Sequence, residues 1–330
     1  MQQTRSREVA RPHSADADGL DAAVEALQAG LLVGLPTETV YGLAGDAFEP
    51  AVVASIFAAK SRPADNPLIV HVAAADELTR VTDEVTPLAR SLARAHWPGP
   101  LTLVLAAGSA VPSITRAGLS TVAVRVPDHP VATTVLERSH SPLAAPSANR
   151  SGRPSPTTAS DVLTEFGAEV ALVLDGGPCV IGVESTVVDA RGRTPVILRE
   201  GAVTREHLGL VGGQPAGELL RSPGTRYRHY APRCQVLIAG PEELEAATTP
   251  AAASGLHLGM VVQDAHRTVL PPGASLIGSF TDAADLARQL YTTFRDAERL
   301  GVEVLVVEAV PELGVGRAVM DRLRRAAGVE

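Results

Sequence analysis

The sequence predicts an α/β protein with a twisted, mixed sheet in its first two thirds and a small βαβ, Rossmann-like unit at its C-terminal end. Three observations carry this reading. Short apolar runs and amphipathic stretches mix up to about residue 205, without the strict strand–helix–strand order of a doubly wound parallel sheet. After Val211 the chain becomes rich in glycine and proline and loses its periodicity. From Cys234 strands and helices alternate again for roughly 100 residues, enough for a small domain. The boundaries expected are a polar, frayed tail at 1–16, a main unit at 17–211, a linker at 212–233 and a C-terminal unit at 234–330.

Each element has its own signal. LDAAVEALQAG carries apolar residues at helical spacing and stops at Gly30, and LLVGLP reads as a short buried strand. EPAVVASIFAAK is a helix with Pro50 in its first turn, where the missing N–H costs nothing. PLIVHV is the next strand, and TPLARSLARAHWPG contains a helix. LTLVLA and TVAVRVP are strands, followed by a helix near 129–138, the short strand PLAAPS and a helix near 157–166. VALVLDGG, STVVDA and PVILREG close the first unit as strands. The second unit reads as strand CQVLIAG, helix PEELEAA, strand LHLGMVV, a long helix near 281–299, strand VEVLVVEAV and helix GRAVMDRLRRAA.

Composition narrows the function. The 330 residues are 45% hydrophobic but only 3% aromatic, so the core rests on Val, Leu, Ile and Ala. A net charge of −8 disfavours a general nucleic-acid surface, though not a local basic pocket. The two cysteines, Cys179 and Cys234, are too few and too far apart for a zinc site or a disulfide framework, and are expected as buried thiols. The first residues lack the apolar core of a signal peptide, and no segment reaches the roughly 20 apolar residues of a membrane span. A cytoplasmic location with no membrane partner is the expectation.

Neither GxxxxGK[ST], nor HExxH, nor GxSxG is present, and GVGRAV lacks the third glycine of GxGxxG. Five polar or cationic clusters instead follow or interrupt apolar strands. PTETVYGLAG offers the hydroxyls of Thr37, Thr39 and Tyr41, with Gly42 and Gly45 allowing close backbone approach; its plainer reading is a Thr-rich turn. AAKSRPADNPLIVH sets Lys60 and Arg62 just before Pro63, with Asn66 between it and Pro67, and the prolines stiffen the loop; its cations are either solvated or turned toward an anion. STVAVRVPDHP puts Thr121, Ala123 and Arg125 on one strand face, the arginine awaiting either a salt bridge or a ligand. APSANRSGRPSPT is filler or an anion-binding nest, and VESTVVDA with ILREG sets Ser185 and Arg199 at strand ends. Convergence of such clusters at strand ends favours a polar, phosphate-tolerant pocket.

In this order, PTETVYGL, KSRPADNPLIVH, WPGPLT, APSANRSG and ESTVVD resemble the YrdC-like L-threonylcarbamoyladenylate synthases over most of residues 20–205. SPGTRYRHYAP and the unit after it are similar to the long, two-domain form of that family. The resemblance implies a YrdC-like catalytic domain and a reaction of L-threonine, bicarbonate or CO2 and ATP, giving threonylcarbamoyl-AMP and pyrophosphate. The product would feed a separate tRNA threonylcarbamoyl transferase that makes N6-threonylcarbamoyladenosine at position 37; direct tRNA contact would be weak. Family correspondence makes Thr39, His71, Arg125 and Ser185 candidates for threonine. It makes Lys60, Arg62, Asn66, Thr121, Ser147, Asn149, Ser155, Arg199 and Tyr230 candidates for ATP, with Lys60 and Arg62 as the catalytic pair. Tyr230, beside His229, would reach back over the site from the linker, which would act as a lid. Mg2+ would come with ATP; no protein-held metal and no organic cofactor are expected. Two alternatives stand beside this. One is a carbamoyltransferase of hydrogenase maturation, whose zinc-finger modules two cysteines cannot supply. The other is a non-catalytic factor binding tRNA or double-stranded RNA.

Overall fold

The computed structural model describes residues 12–210 and 230–329. The expected tail up to residue 11, most of the linker and His229 lie outside the described residues. Ten strands build the first unit: β1 (His13–Ser14), β2 (Val33–Leu35), β3 (Gly42–Asp46), β4 (Ile69–His71), β5 (Leu101–Ala106), β6 (Thr121–Arg125), β7 (Leu143–Ala144), β8 (Leu172–Asp175), β9 (Thr186–Asp189) and β10 (Val196–Arg199). They lie side by side in the order β1-β8-β2-β3-β7-β4-β6-β5-β9-β10. Parallel pairs such as β4–β6 and β5–β9 alternate with antiparallel ones such as β2–β3 and β5–β6, the mixed sheet that the irregular strand–helix order predicts.

Both faces of this sheet are covered. On one, α2 (Pro50–Lys60), α3 (Pro87–His96) and α5 (Ala159–Phe166) bury Val53, Ile56, Leu92, Val162 and Phe166 in the largest core. On the other, α1 (Ala17–Gln28) and α4 (Pro130–Ser139) bury Ala23, Leu27, Val135 and Leu136. Side chains at helical spacing meet the sheet, as in any two-faced α/β layer.

The second unit is a four-stranded, all-parallel sheet of β11 (Gln235–Ala239), β12 (Leu258–Gln263), β13 (Ser275–Phe280) and β14 (Val304–Glu308), in the order β11-β14-β12-β13. On one face lies α6 (Leu244–Ala253); on the other lie α7 (Ala283–Arg299) and α8 (Gly316–Ala327). The α7–α8 core does not stop at the unit boundary, because Val40 and Val183 of the first unit pack in it.

Three strands differ from the sequence expectation. His13 and Ser14, read as frayed tail, pair in parallel with Leu174 and Asp175, and Asp16 caps α1 through the Gly19 amide. Gly42–Asp46, read as a turn, is a strand paired to β2 and β7; its glycines carry no side-chain alternation to reveal it. Ser275–Phe280 is an edge strand the spacing does not flag, with a register shift against β12. Both cysteines are free and buried, as expected.

Candidate nucleotide and amino-acid cleft

The end of α2 aims the first two cations. Ser61 takes the left-handed conformation (φ 48°), and the amides of Ser61 and Arg62 donate to the carbonyls of Ala58 and Phe57. This is a Schellman stop, with a serine where glycine is usual. It leaves Lys60 on the last helical turn, 1% exposed, and sends Arg62 into the loop. Pro63 and Asn66 close the next turn through the Asn66 amide, and Arg62 is clamped by the Asn66 carbonyl (2.9 Å), Asn66 Oδ1 (2.7 Å) and the Pro67 carbonyl (2.8 Å). The prolines shape the loop, but helix stop and Asn66 together hold the guanidinium.

Lys60 Nζ donates to the carbonyls of Ser147 and Asn149, both at 2.5 Å. The loop carrying them lies against β3, where Gly42 bridges Ser147; a Cβ on Gly42 would stand 3.1 Å from that of Ala145. Asn149 Nδ2 bonds the carbonyls of Arg150 and Arg153, so its Oδ1 is the free end. That oxygen, Ser151 Oγ, His71 Nδ1 and Asn66 Nδ2 are buried without hydrogen-bond partners. Buried polar atoms in folded proteins usually find a partner, in protein, water or ligand.

The register of β4 against β6 sets His71 directly beside Arg125. Burial, and then the charge of Arg125, pull the His71 pKa down to about 3, so the imidazole is neutral at physiological pH. Arg125 meets a carboxylate, Glu38, at 2.5 Å in a buried ion pair, the salt-bridge partner that a strand arginine calls for. Its Nη1 donates to Thr39 Oγ1 (2.9 Å), Thr39 to Thr37 (2.9 Å), and Thr37 to the Val40 carbonyl (2.6 Å). Tyr41 is not available to a ligand: its hydroxyl joins the Gly177 carbonyl and the Gly176 amide.

Arg199 closes the opposite wall, donating through Nη2 to the Ser185 carbonyl (2.9 Å) and Oγ (3.1 Å). Ser185 Oγ also meets Thr102 Oγ1 at 2.8 Å. Beside it, Glu184 accepts from Ser155 Oγ (2.6 Å), from Tyr291 Oη (3.0 Å) and from Arg322 Nε (3.0 Å). Burial raises the Glu184 pKa, but the charges of Arg322 and Arg199 more than offset it, and the carboxyl stays below its usual range.

These walls line one cleft open to solvent. Ten of the predicted residues line it: Thr39, Lys60, Arg62, His71, Arg125, Ser147, Asn149, Ser185, Arg199 and Tyr230. Three do not. Asn66 backs Arg62, Ser155 backs Glu184, and Thr121 starts β6 opposite Ala106, away from the lining. Two partners go unread in the sequence, Glu38 and Glu184, since only the fold brings Arg125 and Arg322 to them. Among the described lining residues, Lys60, Arg62, Arg125 and Arg199 face one acidic side chain, Glu184. Burial and the neighbouring Arg62 hold the Lys60 pKa well below the ordinary lysine value, and burial and Arg199 bring Arg62 down to about 10. Like charges enclosed together cost free energy that a polyanion relieves.

A two-unit α/β protein with a cation-walled cleft beside a neutral histidine has the chemistry to hold a phosphorylated small molecule. Comparison with known proteins makes this specific. Residues 25–201 match the Sua5/YciO/YrdC family model, described as "Telomere recombination", and residues 200–328 match "Threonylcarbamoyl-AMP synthase, C-terminal domain". The Pyrococcus abyssi threonylcarbamoyl-AMP synthase is 41% identical over 92% of both chains. The Bacillus subtilis one is 39% identical, with 90% of this chain and 89% of its own covered. A shorter Mycobacterium tuberculosis relative is 40% identical over 61% of this chain and 92% of its own length. The crystal structure of P. abyssi Sua5 complexed with L-threonine superposes with a TM-score of 0.87 at 39% identity, covering 95% of each chain. The chain belongs to the threonylcarbamoyl-AMP synthase family, in its two-domain form.

Proposed function

We propose that the protein makes L-threonylcarbamoyl-AMP from L-threonine, bicarbonate or CO2 and ATP, releasing pyrophosphate. The observation that carries this is the convergence of Lys60, Arg62 and Arg199 with Thr39, His71 and Arg125 in one cleft. In a relative, P. abyssi Sua5, threonine is bound.

In this reading threonine's amine adds to CO2 and loses a proton, giving an N-carboxylate. An oxygen of that carboxylate attacks the α-phosphorus of ATP, the bond from that phosphorus to the β-phosphate oxygen breaks, and pyrophosphate leaves. An anion must approach a polyanion, so the main demand is charge compensation in an enclosed site. Lys60 and Arg62 meet the phosphates from the α2 end and Arg199 from the β10 end. Asn149 and Tyr230 shape the nucleotide side, while Asn66 and Ser155 act through Arg62 and Glu184. The Arg125 guanidinium and the neutral His71 hold threonine's carboxylate and hydroxyl, with Ser185 between the substrates. Positioning, not a covalent enzyme nucleophile, supplies the rate. ATP enters as its magnesium complex, the ion being part of the substrate; among the described residues no group of three or more His, Cys, Asp or Glu side chains is arranged to hold a metal.

The product supplies a tRNA threonylcarbamoyl transferase, and we place the reaction in the cytoplasm, where that step occurs. No described helix is long and apolar enough to cross a membrane. A non-catalytic RNA-binding role is not favoured: the net charge is −8 and the full-length relatives carry synthase names. The test is mass-spectrometric detection of threonylcarbamoyl-AMP, omitting threonine and bicarbonate in turn. Product only with both present supports the reading; product without either, or none with both, overturns it.

A further inference from the structure

The C-terminal unit bonds a carboxylate of the cleft wall. Glu184 lines the cleft directly before Ser185, and two of its three side-chain donors, Tyr291 on α7 and Arg322 on α8, come from the second unit. All three residues are buried, and Arg322 is 0% exposed. Tyr230, also on the cleft wall, rests on the same pair: its ring lies 5.6 Å from that of Tyr291 and 5.4 Å beneath the Arg322 guanidinium. Gly182 fixes the segment from the other end. A Cβ there would stand 2.3 Å from the Ala287 carbonyl oxygen, so this stretch of backbone lies against α7.

Charge gives this contact its meaning. An unpaired carboxylate at 184 would face the same space as Lys60, Arg62 and Arg199, and would repel any polyphosphate drawn to them. Arg322 cancels that charge from behind without entering the cleft lining. When one member of a buried pair is removed, the other is left uncompensated, which costs more than the pair contributes.

We propose that Arg322 and Tyr291 are positioning residues of the cleft: from the C-terminal unit they neutralise Glu184 and seat Tyr230, and so set the affinity for ATP. The inference rests on the cleft being the ATP site. It gives the second unit a role in the reaction without any ligand of its own.

The test measures ATP binding by calorimetry on the full chain at pH 8.5 and pH 6.0, for wild type, Arg322→Met, Arg322→Lys and Arg322→Met with Glu184→Gln. Arg322→Met is expected to bind ATP roughly 30-fold more weakly at pH 8.5. The double variant should recover to within about fivefold of wild type, and Arg322→Lys should fall between. At pH 6.0 the Arg322→Met deficit should shrink, because a buried carboxyl that has lost one of its two neighbouring cations takes up a proton more readily; the double variant should show no such change. The other groups facing Glu184 do not produce this pattern: Tyr230 and Tyr291 are raised by burial and stay neutral, Arg199 stays charged, and Asp321 contacts Arg322 itself. If Arg322→Met does not fold, Tyr291→Phe, which removes only the hydroxyl donor, should weaken ATP roughly tenfold. Wild-type affinity in Arg322→Met or Tyr291→Phe, or a double variant no tighter than Arg322→Met, overturns the inference. A wild-type chain that binds no ATP overturns the reading of the cleft itself, and the inference with it.

Discussion

Replacing Lys60 by methionine separates what this lysine costs the free protein from what it contributes to binding. In the free protein Nζ is buried, held by two carbonyls at 2.5 Å, and its charge is disfavoured by desolvation and by Arg62. Methionine removes that unfavourable charge but strands the Ser147 and Asn149 carbonyls, at about 1–3 kcal/mol each. The two effects oppose, so stability without ligand should change by less than about 2 kcal/mol. Binding has no such compensation. A hydrogen bond from a cation to phosphate contributes about 1.5–3 kcal/mol, so ATP affinity should fall by about 10- to 150-fold. A hundredfold loss removes about 2.7 kcal/mol of ligand stabilisation, or about 4 °C of the ATP-induced rise in Tm for a chain of this length. Thermal unfolding with and without ATP, beside pyrophosphate release, reads both terms. An ATP-induced shift as large in Lys60→Met as in wild type would refute the assignment of this lysine to the phosphates.

Three further outcomes follow from the geometry. His71 has its folded pKa lowered from 6.5 to about 3, so the unfolded chain takes up the proton first as pH falls, and stability present at neutral pH drains away below pH 6.5. Between pH 7.5 and 5 wild type should lose about 2 kcal/mol more than His71→Gln in urea titrations; equal losses would contradict the burial of this ring. Ser61→Gly relieves a left-handed serine at the helix stop and should raise stability by about 0.5–1 kcal/mol, measured by denaturant midpoint, while leaving Lys60 and Arg62 in place. Gly182→Ala introduces a Cβ against the Ala287 carbonyl at φ +83°, and should cost about 2 kcal/mol or more and expose the α7 junction to limited proteolysis.

Where side-chain pattern decides an element, it is legible in the sequence. Pro50 at the first turn and apolar spacing mark α2, and the spacing of GRAVMDRLRRAA marks α8. β3 escapes because Gly42 and Gly45 have no side chains to alternate, and β1 because its two residues are held only by a partner 160 residues away in sequence. The same divide runs through the cleft. Clusters at strand ends point to Lys60, Arg62, Arg125, Ser185 and Arg199, and the family resemblance adds His71; all of them line it. A local motif cannot tell a residue that touches the ligand from one that holds its neighbour. Asn66, four residues from Arg62, and Ser155, far from Glu184, look alike in sequence and both act through a charged partner. Glu184 itself sits in ESTVVD with nothing local to mark it, because Tyr291 and Arg322 lie more than a hundred positions downstream.

A carboxylate whose counter-charge comes from another domain ties two stretches of one gene together in descent. Much shorter relatives exist, such as the M. tuberculosis chain that aligns with 61% of this one. Any of them without an equivalent of α8 has lost the only described arginine that bonds the carboxylate at 184, and must either find a local cation or give up the acid. Loss of the second unit and loss of the glutamate should therefore travel together, lineage by lineage, and a short chain that kept the acid without a new cation would show that the link is not obligatory.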